Sequence, residues 1–447
     1  MKTTTDLTNG NIKKQILMLS LPLIAGNLLQ QMYNTIDAFV ISRFADEYDF
    51  AAIGVSSATI NFLLFALMGA CNGVAVMFSR LHGAKQEEEF RSYHFSALVL
   101  GFTLTMLLMI LFYVYLPLWL RITQTPPEII IRTAAYLRIV LLGLPFAYLY
   151  NFYSALLRST GRNKSTLYIL FFSVAINLFL DLFLVAGCRK GIVGAAAATV
   201  ISQAFSALIG TLWFRKIHSS YIFQKHNICF NRKQLFYTIR CCFAPSLHQS
   251  SLYIGKLLVQ GTVNQGGITF ISAFTAAARI EGFANSFGDS CSAATAVITS
   301  QNVGAAKTDR IKKIWLDSLT ICMLLGLTCA FLLFVFSDDL IRLMFKQTNG
   351  AAYQNAVSYL KTVACFYLFC FTGDAYTGYL NGRSWVSVPF AGAVCHITLR
   401  VVLSWLLFSR LQLPAIAVST GCGWILANLL WSVYLLGKHK QGTLWKL

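Results

Sequence analysis

An amide and a carboxylate four residues apart, Asn177 and Asp181, stand in the apolar run Ile176-Asn177-Leu178-Phe179-Leu180-Asp181-Leu182-Phe183-Leu184. On a helix this spacing puts both on one face, one turn apart. The stretch from Leu167 to Ala186 is long enough to cross a bilayer, where an aspartate costs roughly 2.5–3.5 kcal/mol on insertion scales. An ionisable group kept at that cost marks an ion or substrate path, whereas an asparagine alone also serves to hold neighbouring helices together. Asp37 lies in a second apolar stretch, 15 residues beyond Pro22. Thr199 follows the small-residue run Gly194-Ala195-Ala196-Ala197-Ala198, which would let its backbone pack close to a neighbour and bring the hydroxyl toward the Asn177 helix. Two carboxylates, an amide oxygen and a hydroxyl form a hard-oxygen set for a small cation such as Na⁺. The same acids, desolvated and close together, would titrate as a coupled pair and carry protons. The sequence leaves Na⁺ and H⁺ both open.

The elements that must hold these groups are membrane helices. Of 447 residues 56% are hydrophobic and 12% charged, half the charged fraction of about 25% in a soluble protein, so the chain reads as an all-α polytopic membrane protein. Twelve segments are long and apolar enough to span: 13–42, 51–79, 93–118, 133–157, 165–187, 191–214, 235–262, 268–300, 311–336, 353–380, 385–409 and 413–437. The net charge of +19 sits in the loops, which points to topology and not to nucleic acid. On the side of the N-terminus 23 Lys and Arg are counted, against eight on the other. The positive-inside rule therefore puts both termini in the cytoplasm. The polar start, Met1–Gln15, has no signal-peptide pattern, so the first span directs insertion. Twelve scattered cysteines indicate neither a disulfide framework nor a zinc site.

The two halves repeat in register. Pro22 is answered by Pro245 and Tyr136-Leu137-Arg138 by Tyr359-Leu360-Lys361, 223 residues later. Ser79-Arg80-Leu81-His82-Gly83-Ala84 is answered by Ser300-Gln301-Asn302-Val303-Gly304-Ala305, and Gly161-Arg162 by Gly382-Arg383, 221 residues later. Six spans per half make these parallel repeats. The expectation is a six-helix lobe at 1–220, a second at 221–447, a cytoplasmic linker over 217–233, and a central cavity between the bundles. Across the repeat Asp37 corresponds to Gln260, Asn177 to Thr398 and Asp181 to Val402, so the acidic site belongs to the N-terminal half alone.

The C-terminal half carries its own intramembrane charges: Lys256, Arg279, Glu281, Asp289, Lys361, Asp374 and Arg400. Glu281 and Asp374 either pair across helices or, with Gln260, bind a cationic substrate. No Gly-x-x-x-x-Gly-Lys-Ser/Thr loop and no His-Glu-x-x-His occurs. Asn285-Ser286-Phe287-Gly288-Asp289 lacks the first glycine of an intramembrane aspartyl-protease motif. No enzyme, catalytic residue or cofactor is expected. His82 and His94 read as loop residues, and His248 and His396 as single structural groups.

Together, Leu21-Pro22 with Asp37, the Gly83-Ala84 loop, Leu157-Arg158-Ser159-Thr160-Gly161-Arg162, Asn177-x-x-x-Asp181, Ala277-Ala278-Arg279-Ile280-Glu281-Gly282-Phe283 and Ser300–Ala305 resemble the multidrug and toxin extrusion (MATE) family over nearly the whole chain. The resemblance implies two bundles in a V and export of amphipathic cationic compounds against Na⁺ or H⁺ entry, by a monomer in the plasma membrane whose partners are small molecules and lipid. In the DinF-like branch, which the chain resembles most, the residues matching Asp37, Asn177, Asp181 and Thr199 form the cation site, and that matching Pro22 is the hinge. The NorM-like branch uses an acidic residue in span seven, which this chain lacks. The alternative within the superfamily is a flippase for a lipid-linked precursor, for which Lys256, Arg279 and Arg400 would supply a cationic cavity.

Overall fold

The computed structural model describes residues 6–44, 47–123, 125–224, 231–345 and 350–441, with backbone alone for 33–44, 47, 50, 51, 58, 122 and 268. These residues form sixteen α-helices and no strand. The first eight are α1 (Ile12–Phe44), α2 (Glu47–Gly83), α3 (Glu87–Val114), α4 (Leu116–Ile122), α5 (Pro127–Leu141), α6 (Leu144–Ser159), α7 (Asn163–Asp181) and α8 (Gly191–Ile217). The second eight are α9 (Arg232–Asn264), α10 (Gly267–Gly304), α11 (Thr308–Val335), α12 (Ser337–Arg342), α13 (Ala351–Ala364), α14 (Tyr367–Gly382), α15 (Ser387–Leu411) and α16 (Leu413–Lys440). A π-helical turn, Leu182–Gly187, prolongs α7, and a 3-10 turn, Ser219–Tyr221, follows α8. Helix ends follow the expected chemistry: prolines open α4, α5, α6 and α16, and Glu87, Glu88 and Glu89 fill the first turn of α3, where the macrodipole favours anions.

Eight helices are long and apolar enough to cross a membrane. Two further crossings are bent: α5 with α6 at 43° and α13 with α14 at 53°, in place of the single straight spans expected at 133–157 and 353–380. The first break has a local cause, since Pro145 just inside α6 cannot continue the hydrogen bonding of α5. With α9 and α10, 33 and 38 residues long but more polar, the fold has ten to twelve spans.

The chain divides into two compact units, Met1–Asp6 with Ala25–Ser246, and Leu7–Ile24 with Leu247–Leu447. Helices α1 and α9 each belong to both, changing unit close to Pro22 and Pro245. The sequence repeat is reproduced in the backbone. After α2 the residue Lys85 turns at φ 57°, and after α10 its counterpart Ala306 turns at φ 55°. Each turn is closed by the same three bonds, Ala84, Lys85 and Gln86 donating to Arg80, His82 and Leu81, and Ala305, Ala306 and Lys307 to Gln301, Val303 and Asn302.

The cores differ. In the second unit one continuous apolar cluster runs from Leu7 through Tyr359 and Phe371 to Leu435. In the first, a large cluster around Phe78, Phe152 and Ile169 is separate from a smaller one around Ala52, Tyr136 and Val185.

Candidate functional site

Along α7 the polar pair falls between these two clusters: Ile169 belongs to the larger and Val185 to the smaller, with Asn177 and Asp181 in the interval. Asn177 is 3% and Asp181 1% exposed. Neither the amide nitrogen nor the amide oxygen of Asn177 has a hydrogen-bond partner among the described residues. A buried amide left in that state costs about 1–3 kcal/mol, and such groups in a well-packed protein ask for a ligand or a function. The helix widens from α to π immediately after Asp181, a distortion common at functional sites.

Helix α8 comes close at Gly194, where a methyl group would stand 3.1 Å from the carbonyl oxygen of Leu184 in the π turn. Any side chain here would force the two helices apart by a few tenths of an ångström. Thr199, half-buried on the same helix, donates its hydroxyl to Ala195 O at 3.0 Å. Asp37 lies on α1, but its side chain is outside the described residues. Helix α1 itself packs against α7: a methyl on Gly26 would stand 3.4 Å from Leu170. Pro22 sits well inside α1, which begins at Ile12, so it is not a first-turn residue. Among the described residues no group of three or more His, Cys, Asp or Glu could hold a metal ion.

The second unit assembles a different set. Glu281 lies beside Tyr359, and its charged neighbours are Arg400 and Lys256. Lys256 is also next to Asp289, and Asp289 to Asp374. The Asp374 carboxylate lies against the backbone of Gly288, another position that a side chain would close. Four helices, α9, α10, α14 and α15, thus bring three carboxylates and two cations into one charged cluster. Gln260 is apart from it in its bonding, donating to Asn264 Oδ1 at 2.8 Å. Arg279 is exposed.

Several sequence expectations are corrected. His82 and His94 are helical, not in loops, and meet at Tyr221, beyond the end of α8: His82 Nδ1 is 2.8 Å from the tyrosine hydroxyl and His94 Nδ1 donates to its carbonyl at 3.0 Å. Lys361 is half-exposed and pairs with Asp338 at 3.0 Å. Sequence reading also missed the ion pair of Asp49 with Arg132, 2.7 Å apart. It missed the crossing of α2 and α9 as well, although Gly69-x-x-x-Gly73 is a small-residue pattern that permits such an approach. A methyl on Gly69 would stand 2.7 Å from Ser246 Cα, and one on Gly73 2.9 Å from Cys242 Cα.

A repeated, many-helix membrane fold, with a buried amide that has no partner among the described residues in one unit and a charged cluster in the other, has the build of a transport protein. The sequence profile of the MatE family matches residues 22–183 and again 245–406, so the chain belongs to the MatE family, whose members are multidrug efflux transporters. The chain is 26% identical to the probable multidrug resistance protein YpnP of Bacillus subtilis (strain 168) over 403 residues, 90% of this chain and 88% of that one. It is 24% identical to the probable multidrug resistance protein YoeA of the same organism over 351 residues, 77% of this chain and 76% of that one. Its fold matches the outward-facing structure of a multidrug resistance MATE family transporter of the MOP superfamily, with a TM-score of 0.91 at 20% identity and 99% coverage of both chains.

Proposed function

We propose that this protein exports amphipathic cationic compounds by alternating access, in exchange for Na⁺ or H⁺ bound in the first unit. The observation that carries the reading is the buried pair Asn177 and Asp181, whose amide has no partner among the described residues and which interrupts the apolar core. Register supports Asp37 as the third member. The contact of Gly26 with Leu170 lies eleven residues before position 37 on one helix and eleven before Asp181 on the other. As first and fifth spans the two helices run in the same direction, so both positions are about 16 Å further along. Thr199 is the fourth member. This set is that of the DinF-like branch.

The two sequence repeats extend over 1–220 and 221–447, both termini are cytoplasmic, and the protein works as a monomer in the plasma membrane. Glu281, Asp374 and Gln260 supply the substrate side, where three carboxyl groups outnumber Lys256 and Arg400 and suit organic cations. That balance also disfavours a flippase for a lipid-linked pyrophosphate, which needs a cationic cavity. The test is flux in proteoliposomes: an amphipathic cation such as tetraphenylphosphonium should drive Na⁺ or H⁺ movement in the opposite direction. Absence of any such exchange overturns the reading.

A further inference from the structure

The two matching turns after α2 and α10 each hold a length of chain that leads toward the first helix of a repeat, and they hold it by unlike chemistry. In the second unit the turn after α10 grips residues 7–15, the entry to α1. Asn302 Nδ2 donates to Leu7 O at 3.1 Å, Arg310 Nη1 to Gly10 O at 2.9 Å, and Arg310 Nη2 to Gln15 Oε1 at 3.2 Å. Arg310 Nε is in turn fixed by Asn302 Oδ1 at 2.9 Å, and Lys307 Nζ reaches Asn9 Oδ1 at 2.8 Å. One guanidinium thus ties the start of α1 to the turn, mostly through backbone carbonyls.

In the first unit the ends of α2 and α3 grip residues 218–223, which lead toward α9. Here the hold is aromatic. Tyr221 stacks on Phe90 with centroids 4.2 Å apart, Phe223 meets His94 at 5.2 Å, and His218 Nε2 is 3.0 Å from Thr160 Oγ1. At the 221-residue offset Asn302 is replaced by Leu81, Val303 by His82 and Arg310 by Glu89, so the same turn has been given two different chemistries.

We propose that the Arg310 clasp is a conformational latch that opens during the transport cycle, while the Tyr221 clasp is a permanent dock. Hydrogen bonds from a partly exposed guanidinium can be exchanged for bonds to water with little net change. Separating the Tyr221 clasp instead exposes buried rings, which water does not repay. Because α1 belongs to both units and carries Pro22 just before it changes unit, releasing its first turn frees the helix to bend there. The latch rests on the alternating-access reading.

The test is amide hydrogen exchange on the full chain in detergent, following the segments 10–16 and 217–224 with and without NaCl (choline chloride in its place) and with tetraphenylphosphonium. The latch requires that at least one of these ions change exchange in 10–16 and leave 217–224 unaltered. Arg310→Ala should raise exchange in 10–16 about tenfold without ligand, with Arg310→Lys intermediate because a point charge cannot reproduce the fork. The same variant should change tetraphenylphosphonium flux several-fold in proteoliposomes. An unresponsive 10–16 segment, equal responses in both segments, or parental flux in Arg310→Ala overturns the latch. If the parental protein carries no tetraphenylphosphonium flux while 10–16 still responds selectively, the organic-cation substrate fails and the latch stands as a device of ion-driven alternating access.

Discussion

The two units are built on one repeated plan and spend their interiors differently. The second fills its middle with a single apolar cluster and places its charges in a compensated group of three acids and two bases. The first breaks its core into three clusters and leaves Asn177 and Asp181 between two of them. A duplicated fold therefore need not duplicate a site. One copy can carry the stability that lets the other keep a costly polar interior. At the positions matching Asn177 and Asp181 the second unit has Thr398 and Val402, the latter exposed, so its counterpart surface makes no such demand.

The most severe test of that contrast is Asp181→Asn, which removes the charge and nearly keeps the shape. Coupled cation movement in proteoliposomes should be abolished, while Gln260→Ala, at the position matching Asp37, leaves it largely intact. Similar losses in both would mean that the units share the coupling work. A milder break is Pro22→Ala. It restores a backbone hydrogen bond inside α1 and removes a roughly 3 kcal/mol propensity penalty, so the helix should resist bending. Transport should slow several-fold while cation affinity by calorimetry stays within about twofold, because the proline offers no side-chain ligand. An unchanged rate would take the bend out of the mechanism.

Much of this was legible in the sequence. The spans, the parallel repeat, the small-residue approach of α8 and the Asn177–Asp181 face all follow from patterns with a strong physical signature. Pro145 marks a break in the fourth span that the hydropathy pattern alone smoothed over. The break between Ala364 and Tyr367 has no proline or glycine to announce it, so only packing reveals it. The clasps were hidden for another reason. His82, His94 and Tyr221 are far apart in sequence and carry no spacing rule, and Arg310 looks like any loop arginine until the backbone carbonyls of Leu7 and Gly10 are seen beside it.

A smaller effect sharpens the contrast between the clasps. His218 is buried beside His82 and Arg162, and its pKa is pushed down to about 4, burial being the main cause; Tyr221, whose hydroxyl burial pushes up to about 12, and Thr160 complete its surroundings. The folded protein holds this imidazole neutral, while the unfolded chain takes up a proton near pH 6.5. Its contribution is therefore fully present above about pH 6.5 and is lost as pH falls toward 4. Exchange of residues 217–224 should accelerate over that window after correction for the intrinsic rate, and in His218→Gln the extra acceleration should be reduced, the remainder belonging to His82 and His94 in the same clasp. A pH-independent opening of this segment in the parental protein would show that His218 stays neutral in both states.

The least effect is expected where the two units carry comparable ion pairs of unlike setting. Asp49 is 8% exposed, lies 2.7 Å from Arg132 and accepts the backbone N–H of Ile192 at 3.1 Å, in the first turn of α8, where the helix dipole favours a carboxylate. Asp338 makes its 3.0 Å pair with Lys361 with both side chains more than 40% exposed, and the Tyr353 hydroxyl that binds its backbone carbonyl at 3.1 Å would survive any change of side chain. Desolvation separates the two cases. Removing the charge of Asp49 takes the carboxylate away from a half-buried guanidinium and weakens a helix start, a loss of about 1–3 kcal/mol. Removing that of Asp338 leaves Lys361 to water, within about 0–1 kcal/mol. Thermal unfolding in detergent should thus show a clear drop for Asp49→Asn and almost none for Asp338→Asn. A double-mutant cycle with Arg132→Gln should return a coupling energy only for the first pair. Equal shifts would mean that neither burial nor the helix start distinguishes the two pairs.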